Sequence, residues 1–284
     1  MPELPEAETT KRKLEVLKGK TIAGFWHDWP AAFRLGVSIA DIESDIKGMR
    51  VLELYRKGKA IFISLSRGER SEEKLLGFHQ RMSGRLQITN SHLQIANSQQ
   101  DTTHVHAKVI FEDGMELWFI DPRKFGVVWY GRPKEINADP YIKSLGPDAL
   151  AISFEEFLER LQQFSGKIKP VLLRQDVFAG IGNIVADETL WEASLHPETA
   201  VSHITRREAL KLFDSLKRVL ERGIAAQGTS MKDWKHPDGE KGTFQDYFNV
   251  YGKKGGLCPC CQTPIIRTVV VGRSTWLCPM CQKL

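Results

Sequence analysis

Four cysteines near the end of this chain constrain its fold more than any other feature. Cys258-x2-Cys261 and Cys278-x2-Cys281 are separated by 16 residues, the two-knuckle spacing that lets four thiolates close a tetrahedron around one Zn²⁺. Between them IIRTVVVGRSTWL reads as a β-hairpin with Gly272-Arg273-Ser274 at its turn. Metal ligation would fold such a ribbon and hold Arg273 on a fixed base. Four Cys ligands leave no open coordination position, so the ion is expected to be structural. Cys260 is left over, and its spacing to Cys261 is wrong for a knuckle, which favours Cys258 as the ligand. All five cysteines lie in this segment; an odd number so confined argues against a disulfide framework and for a reducing compartment.

Charge is concentrated in the same place. Residues 251–284 carry Lys253, Lys254, Arg267, Arg273 and Lys283 with no Asp or Glu, which accounts for the whole net charge of +5. Four metal-bound thiolates and a divalent ion would lower the segment to about +3, still a surface of the kind that meets phosphate. No apolar run approaches the roughly 18 residues of a spanning helix. The start, MPELPEAETT, is acidic and proline-rich where a secretory signal would be basic and then apolar. Neither membrane insertion nor ordinary export is expected, and the cytoplasm is the expected location.

At 284 residues the chain exceeds one small core, so more than one domain is expected. Residues 6–20 read as a leading helix in which Ala7, Leu14 and Leu17 share a face and Gly19 offers a C-cap. From Thr21 to Tyr130 come short β-rich runs, RVLELY, AIFISLS, GRLQI, AKVIFE and MELWFI, separated by turn signals at Arg67-Gly68, Asn90-Ser91 and Asp113-Gly114. Polar residues 91–104 read as an exposed loop. Pro and Asn cluster in GRPKEINADP, and beyond it apolar spacing turns helical in FEEFLERLQQF, KPVLLRQDVF, NIVADETLWEA and TRREALKLFDSLKRVLERGI. Residues 228–248 lack a period and read as a long functional loop. The expected fold class is therefore α+β: an N-terminal β-sandwich with its leading helix over 1–133, a helical domain over 134–248, and the metal ribbon over 249–284.

Pro2 follows the initiator Met, and a small second residue normally permits removal of that Met, exposing a secondary amine. An α-amino group titrates near about 7.7–8.0 against about 10.4 for lysine, so part of it is neutral and nucleophilic at physiological pH. Such an amine forms an iminium with a carbonyl carbon, and Glu3 or Glu6 beside it can move protons. The bland alternative is a helix lead-in with acids in its first turn.

PELPEAET at the start, RKGKAIF at 56–62, RMSGRL at 81–86, DPRKFG at 121–126, GIGNIVADE at 180–188 and VYGKKG running into the cysteines stand in one order. In that order and spacing the chain resembles, over essentially its whole length, the bacterial formamidopyrimidine-DNA glycosylases. The resemblance implies a DNA-repair enzyme that excises oxidised purines such as 8-oxoguanine and formamidopyrimidines, then cuts the backbone at the abasic site by β,δ-elimination. It implies a helix-two-turn-helix in the helical domain and a single structural Zn²⁺ on Cys258, Cys261, Cys278 and Cys281. Pro2 would attack the sugar C1′ and hold a Schiff base, Glu3 would be the acid/base residue and Glu6 a supporting carboxylate. Lys59 and Arg273 would serve the two eliminations, where cations are needed beside the departing phosphates. A base must leave the stack to be reached; Met82, Arg123 and Phe125 match the residues that fill the hole, an apolar wedge with an arginine. Asn183 would touch the DNA backbone at a tight turn opening a helix, whose free N–H groups form a phosphate seat. His104 matches a DNA-contacting histidine, with His106 an alternative two residues on. The loop over 228–248 matches a lesion-capping loop in which Thr229 and Ser230 help read the base. The expected partner is double-stranded DNA with oxidised bases or abasic sites, met by a monomer at the bacterial nucleoid.

Three stretches depart from the family pattern. GNIV stands for GNIY, so Val185 lacks a phenol; QRMSG stands for LGMSG, placing Arg81 beside the wedge; and QQFSGKIKP is less basic ahead of Ile168. Two other functions remain open on sequence: an endonuclease VIII-like preference for oxidised pyrimidines, and a non-catalytic zinc-ribbon protein that binds nucleic acid.

Overall fold

The computed structural model describes residues 2–34, 39–68, 71–90, 102–231 and 234–284. Most of the expected loop at 91–104 falls outside them. The chain folds into two compact units, one formed by Pro2, Glu6–Lys143 and Thr229–Gly242, the other by Glu3–Pro5, Ser144–Gly228 and Thr243–Leu284. No helix among the described residues is long and apolar enough to cross a membrane.

Elements of the first part of the chain are α1 (Leu4–Lys13), β1 (Ile22–His27), β2 (Phe33–Arg34), α2 (Ile39–Ile46), β3 (Arg50–Lys57), β4 (Ala60–Ser66), β5 (Lys74–His79), β6 (Arg85–Asn90), β7 (Val105–Phe111), β8 (Met115–Ile120), β9 (Val127–Gly131), α3 (Pro133–Ala138) and α4 (Pro140–Ser144). The leading helix ends sooner than expected and passes into a 3₁₀ turn, Leu14–Leu17, yet Ala7, Leu14 and Leu17 are all buried. The strands form two sheets, ordered β1-β7-β8-β6 and β2-β9-β5-β4-β3. Their inner faces share one core: Phe25, Val109, Phe111, Leu117 and Phe119 from the first, Leu54, Ile61, Ile63, Phe78 and Val128 from the second. That is the expected sandwich, two sheets burying alternate side chains against each other.

This unit runs ten residues past the expected boundary at 133. The reason is aromatic packing: Tyr141 stacks on Trp129 of β9 with ring centroids 6.2 Å apart, and meets His79 of β5 edge-on at 5.4 Å. Residues 229–242 also belong to it. Ile88 of β6 donates its N–H to the Pro237 carbonyl at 2.7 Å, Trp234 Nε1 donates to Gln80 Oε1 at 3.0 Å, and Lys13 pairs with Asp238 and Glu240.

The second unit contains α5 (Phe154–Gln162), α6 (Ile168–Leu173), α7 (Asn183–Glu192) and α8 (Arg206–Ala225), then a hairpin of β10 (Ile266–Val270) and β11 (Arg273–Leu277). Helix α8 starts at a capping box in which Thr205 and Glu208 satisfy each other's backbone donors. Helix α7 shows no apolar stripe because it is buried all round, Ile184 through Leu190 without a break. The stretch from residue 249 onward is tied to the helices of this unit. Buried Glu188 of α7 accepts the N–H groups of Asn249, Val250 and Tyr251, and α6 reaches the hairpin through Lys169.

Candidate active site and nucleic-acid interface

Pro2 is buried. Lys59, 8 % exposed, sits in the two-residue turn between β3 and β4, where Gly58 takes the positive φ (56°) that such a turn requires of its first residue. Arg56 secures the turn, donating to the Gly58 carbonyl at 2.6 Å and to Glu8 at 3.0 Å. Burial works to raise the Glu8 carboxyl, but Arg12 and Arg56 hold it below the usual range. Glu6 is buried and accepts the Thr229 N–H at 2.6 Å, tying the loop after α8 to the leading helix. The Thr229 hydroxyl is buried without a hydrogen-bond partner among the described residues, and Ser230 Oγ accepts the Gly242 N–H.

Met82, Arg123 and Phe125 lie on two turns, 81–84 and 121–126, and all three are exposed. Met82 is 51 % and Phe125 49 % exposed. The Arg123 guanidinium lies over the Phe125 ring, 4.6 Å from its centroid. One residue overlooked in the sequence organises both turns: Asp121, wholly buried. Its Oδ1 accepts from Ser83 Oγ (2.5 Å) and the Arg123 N–H (3.3 Å), and its Oδ2 accepts from the N–H groups of Phe125 (2.8 Å) and Gly126 (2.7 Å). An Asp before Pro is a turn signal, but nothing local tells that its carboxylate also reaches residue 83. Gly84 closes the first turn; a Cβ there would stand 2.5 Å from the Gln80 carbonyl oxygen.

The two candidate histidines differ in their surroundings. His106 is buried, with Nδ1 2.7 Å from Asp28 and its ring edge-on to Trp29. His104 is half-exposed.

The expected phosphate seat at the start of α7 is taken. Glu3 Oε1 and Oε2 accept the N–H groups of Ile184 (2.9 Å) and Val185 (3.0 Å), so its carboxylate occupies the positive end of the helix. Only glycine at 182 allows this, because a Cβ there would lie 2.1 Å from Glu3 Cδ. Val185, buried, leaves no hydroxyl there. Asn183 Nδ2 donates to the Ser274 carbonyl at 3.0 Å, so its side chain serves the hairpin next to Arg273.

Arg273 is exposed, but it is not at the hairpin turn. It opens β11, paired with Val270, and the turn is Val271-Gly272, both at positive φ (45° and 73°). Beneath it Lys169 and Asp187 form an ion pair at 2.6 Å with side chains 1 % and 0 % exposed. Lys169 Nζ also donates to the Ser274 carbonyl and Thr275 Oγ1, and Asp187 Oδ2 accepts the Trp276 N–H. Burial lowers the Lys169 ammonium and pushes Asp187 up to about 7, against the opposite pull of each on the other.

The sulfur atoms of Cys258, Cys261, Cys278 and Cys281 all lie within 4.8 Å of one another, close enough to hold a metal ion. Two separations are 3.9 and 3.4 Å, around the edge of about 3.8 Å that a tetrahedron with metal–sulfur bonds of about 2.3 Å possesses. Cys260 is exposed and outside the cluster. Trp191 Nε1 of α7 donates to Cys258 Sγ at 3.4 Å.

The structure thus places Pro2, Glu6, Lys59, Met82, His104, Arg123 and Phe125 in the first unit, and Glu3, Asn183, Arg273 and the cysteines in the second. Residues 1–128 match the family model of the formamidopyrimidine-DNA glycosylase N-terminal domain, and 145–235 that of the formamidopyrimidine-DNA glycosylase H2TH domain. Formamidopyrimidine-DNA glycosylases of Heliobacterium modesticaldum and Pelotomaculum thermopropionicum are 38 % and 35 % identical to it, with both chains covered in full. The crystal structure of the MutM (Fpg) protein of Thermus thermophilus is similar with a TM-score of 0.84 at 35 % identity, covering 99 % of this chain and 98 % of that one. That of Lactococcus lactis Fpg with abasic-site DNA gives 0.86 at 29 % identity, covering 99 % and 100 %. Motif order, sandwich, four-cysteine ribbon and full-length similarity converge: this chain belongs to the formamidopyrimidine-DNA glycosylase family.

Proposed function

We propose that the chain is a bifunctional DNA glycosylase and abasic-site lyase of base excision repair, acting on duplex DNA with oxidised purines. The observation that carries this reading is the pair of turns organised by Asp121. Met82 and Phe125 stand exposed on turns that a buried carboxylate fixes, with the Arg123 guanidinium over the Phe125 ring, and rigidly mounted apolar side chains beside an arginine are the equipment for entering a base stack.

Once its amine is free, Pro2 attacks C1′ of the extruded nucleotide. The glycosidic bond breaks and the base leaves with a proton; the sugar ring then opens at the C1′–O4′ bond, O4′ taking up a proton, and C1′ is held as an iminium of the proline nitrogen. Glu3 moves protons at this step, its carboxylate fixed by the two α7 amides. Glu6 supports the site by holding Thr229. Lys59 and Arg273 serve the successive β- and δ-eliminations, neutralising the leaving phosphates. Arg123 meets the orphaned base, His104 and Asn183 the DNA backbone. The four cysteines hold Zn²⁺, which supplies the ribbon with a folded core and takes no part in bond cleavage. The enzyme works as a monomer on the bacterial chromosome.

Borohydride trapping with an 8-oxoguanine duplex tests the reading. A covalent adduct is expected, and it should vanish in Pro2→Gly. Absence of an adduct from protein whose N-terminal proline is exposed by mass analysis would overturn it in favour of a binding module. Cleavage confined to thymine glycol would move the substrate to oxidised pyrimidines. That second specificity has one support, since Lactococcus lactis Fpg has been crystallised with oxidised-pyrimidine DNA.

A further inference from the structure

Arg81 stands one residue before the wedge, in the position where the family pattern has glycine. Its φ is +53°, a left-handed conformation that is unfavourable by about 1–2 kcal/mol for a residue with a Cβ. Strain of this kind persists where the surroundings over-determine it, and it gathers at functional sites. The surroundings here are specific. The Arg81 N–H donates to His79 Nδ1 at 3.0 Å, and the guanidinium lies over the Tyr141 ring, 5.2 Å from its centroid. Tyr141 is itself stacked on Trp129 and edge-on to His79. The head group is thus mounted on an aromatic column, and its N–H donors are left for an oxygen-bearing partner.

No partner of that kind is supplied from within. Among the described residues Arg81 has no ion pair and no carboxylate hydrogen bond. His79, next to it and 5 % exposed, is kept neutral down to about 3 by burial and then by the charges of Arg81 and Lys59. Neutrality preserves Nδ1 as the acceptor that fixes the Arg81 backbone. The cations near this turn therefore reinforce one another, and an anion placed there would be attracted by both Lys59 and Arg81.

We propose that Arg81 grips a backbone phosphate of the duplex beside the step that Met82 enters, adding one phosphate contact and anchoring the wedge turn. The proposal rests on the DNA-glycosylase reading above. Phosphate is favoured over a base edge because the guanidinium is already fixed by its stacking, and positioning contacts of this kind go mostly to the backbone.

The test is the salt dependence of binding to a duplex carrying a tetrahydrofuran abasic-site analogue, titrated from 50 to 200 mM salt. Losing one phosphate contact lowers the slope of log K against log salt by about 0.9, so the affinity advantage of the wild type should shrink about 3.5-fold across that range. Arg81→Gln and Arg81→Gly should both show this, the glycine variant with unchanged or higher thermal stability because it relieves the positive φ. Arg81→Lys should keep the wild-type slope. An unchanged slope in Arg81→Gln and Arg81→Gly, with wild type binding normally, would overturn the proposal alone. So would a loss that depends on the base opposite the lesion without a change of slope, since that marks base contact. Wild-type protein that fails to bind the duplex would overturn the glycosylase reading as well.

Discussion

Replacing Lys169 by methionine removes the cation from a pair that no water reaches. In the intact protein its ammonium faces Asp187 at 2.6 Å and donates to the Ser274 carbonyl and Thr275 Oγ1, while Asp187 Oδ2 takes the Trp276 amide. These contacts bind α6, α7 and β11 together, immediately after Arg273. Breaking a buried pair from one side leaves the other group uncompensated, about 3–5 kcal/mol of destabilisation. The Ser274 carbonyl keeps Asn183 as a donor, so the smaller figure applies to the hairpin. Removing both charges differs: a well-packed apolar pair is often neutral relative to the ion pair. Lys169→Met/Asp187→Leu should therefore be more stable than Lys169→Met by at least about 1 kcal/mol, despite the lost bonds to Thr275 and Trp276. Urea-induced release of the ribbon's metal, read with a chromophoric chelator, reports the relevant element. Lys169→Met should release metal at markedly lower urea and lose the Arg273-dependent cleavage product. A single variant within about 1 kcal/mol of wild type, or a double variant less stable than both singles, would refute the assignment of this pair as the ribbon's anchor.

Three further outcomes follow from the geometry. Asp121→Asn turns one acceptor oxygen into a donor facing amide N–H groups, a loss of about 2–4 kcal/mol at hydrogen bonds to charge; kcat/KM on a lesion duplex should fall more than tenfold while trapping on single-stranded abasic DNA persists, and unaltered duplex kinetics would sink the role given to Asp121. His79 binds its proton only near about 3 when folded but near 6.5 when unfolded, so acid favours the unfolded state: from pH 6 to 4 the wild type should lose roughly 2 kcal/mol relative to His79→Asn, which keeps an acceptor for Arg81, and parallel pH–stability curves would contradict it. Stripping the metal should abolish duplex binding and unfold the ribbon, whose small core gathers Val250, Cys258, Ile265 and Cys278 with Trp191 and Trp276 packed against them, while near-ultraviolet signals of the β-sandwich stay; metal-free protein with full DNA affinity would remove the ribbon from the interface.

Short motifs made much of the site legible, because turns and metal knuckles confine their chemistry to a few adjacent residues. Cys258, Cys261, Cys278 and Cys281 converge as their spacing requires, and the Asp113-Gly114 turn has its glycine at φ +79°. Longer-range features were hidden. Strand β5, KLLGFH, is buried from Leu75 onward and so shows no alternation. The sequence points to a ribbon turn at Gly272-Arg273-Ser274 because Val271 is β-branched and locally disfavoured at positive φ, whereas the β10–β11 register puts Val271 in the turn. The start of α7 reads locally as an open anion seat, and its occupant, Glu3, lies 180 residues earlier in the chain.

That last case belongs to a pattern. Glu3 accepts two backbone amides of α7, Glu6 one from Thr229, Asp121 three from its own turn, and Glu188 three from Asn249 to Tyr251. All four carboxylates are buried, and each organises a segment that carries a proposed contact to DNA or leads to one. A protein that must approach a polyanion gains twice from this arrangement. Amide-satisfied acids rigidify the loops without side-chain cations, and they stay away from phosphates that exposed carboxylates would repel. Arg123 and Arg273 are thereby left exposed, and Arg81 without an internal anion. The positive surface of this chain is consequently as much a result of where its acids are buried as of where its bases stand, which a net charge of +5 alone does not reveal.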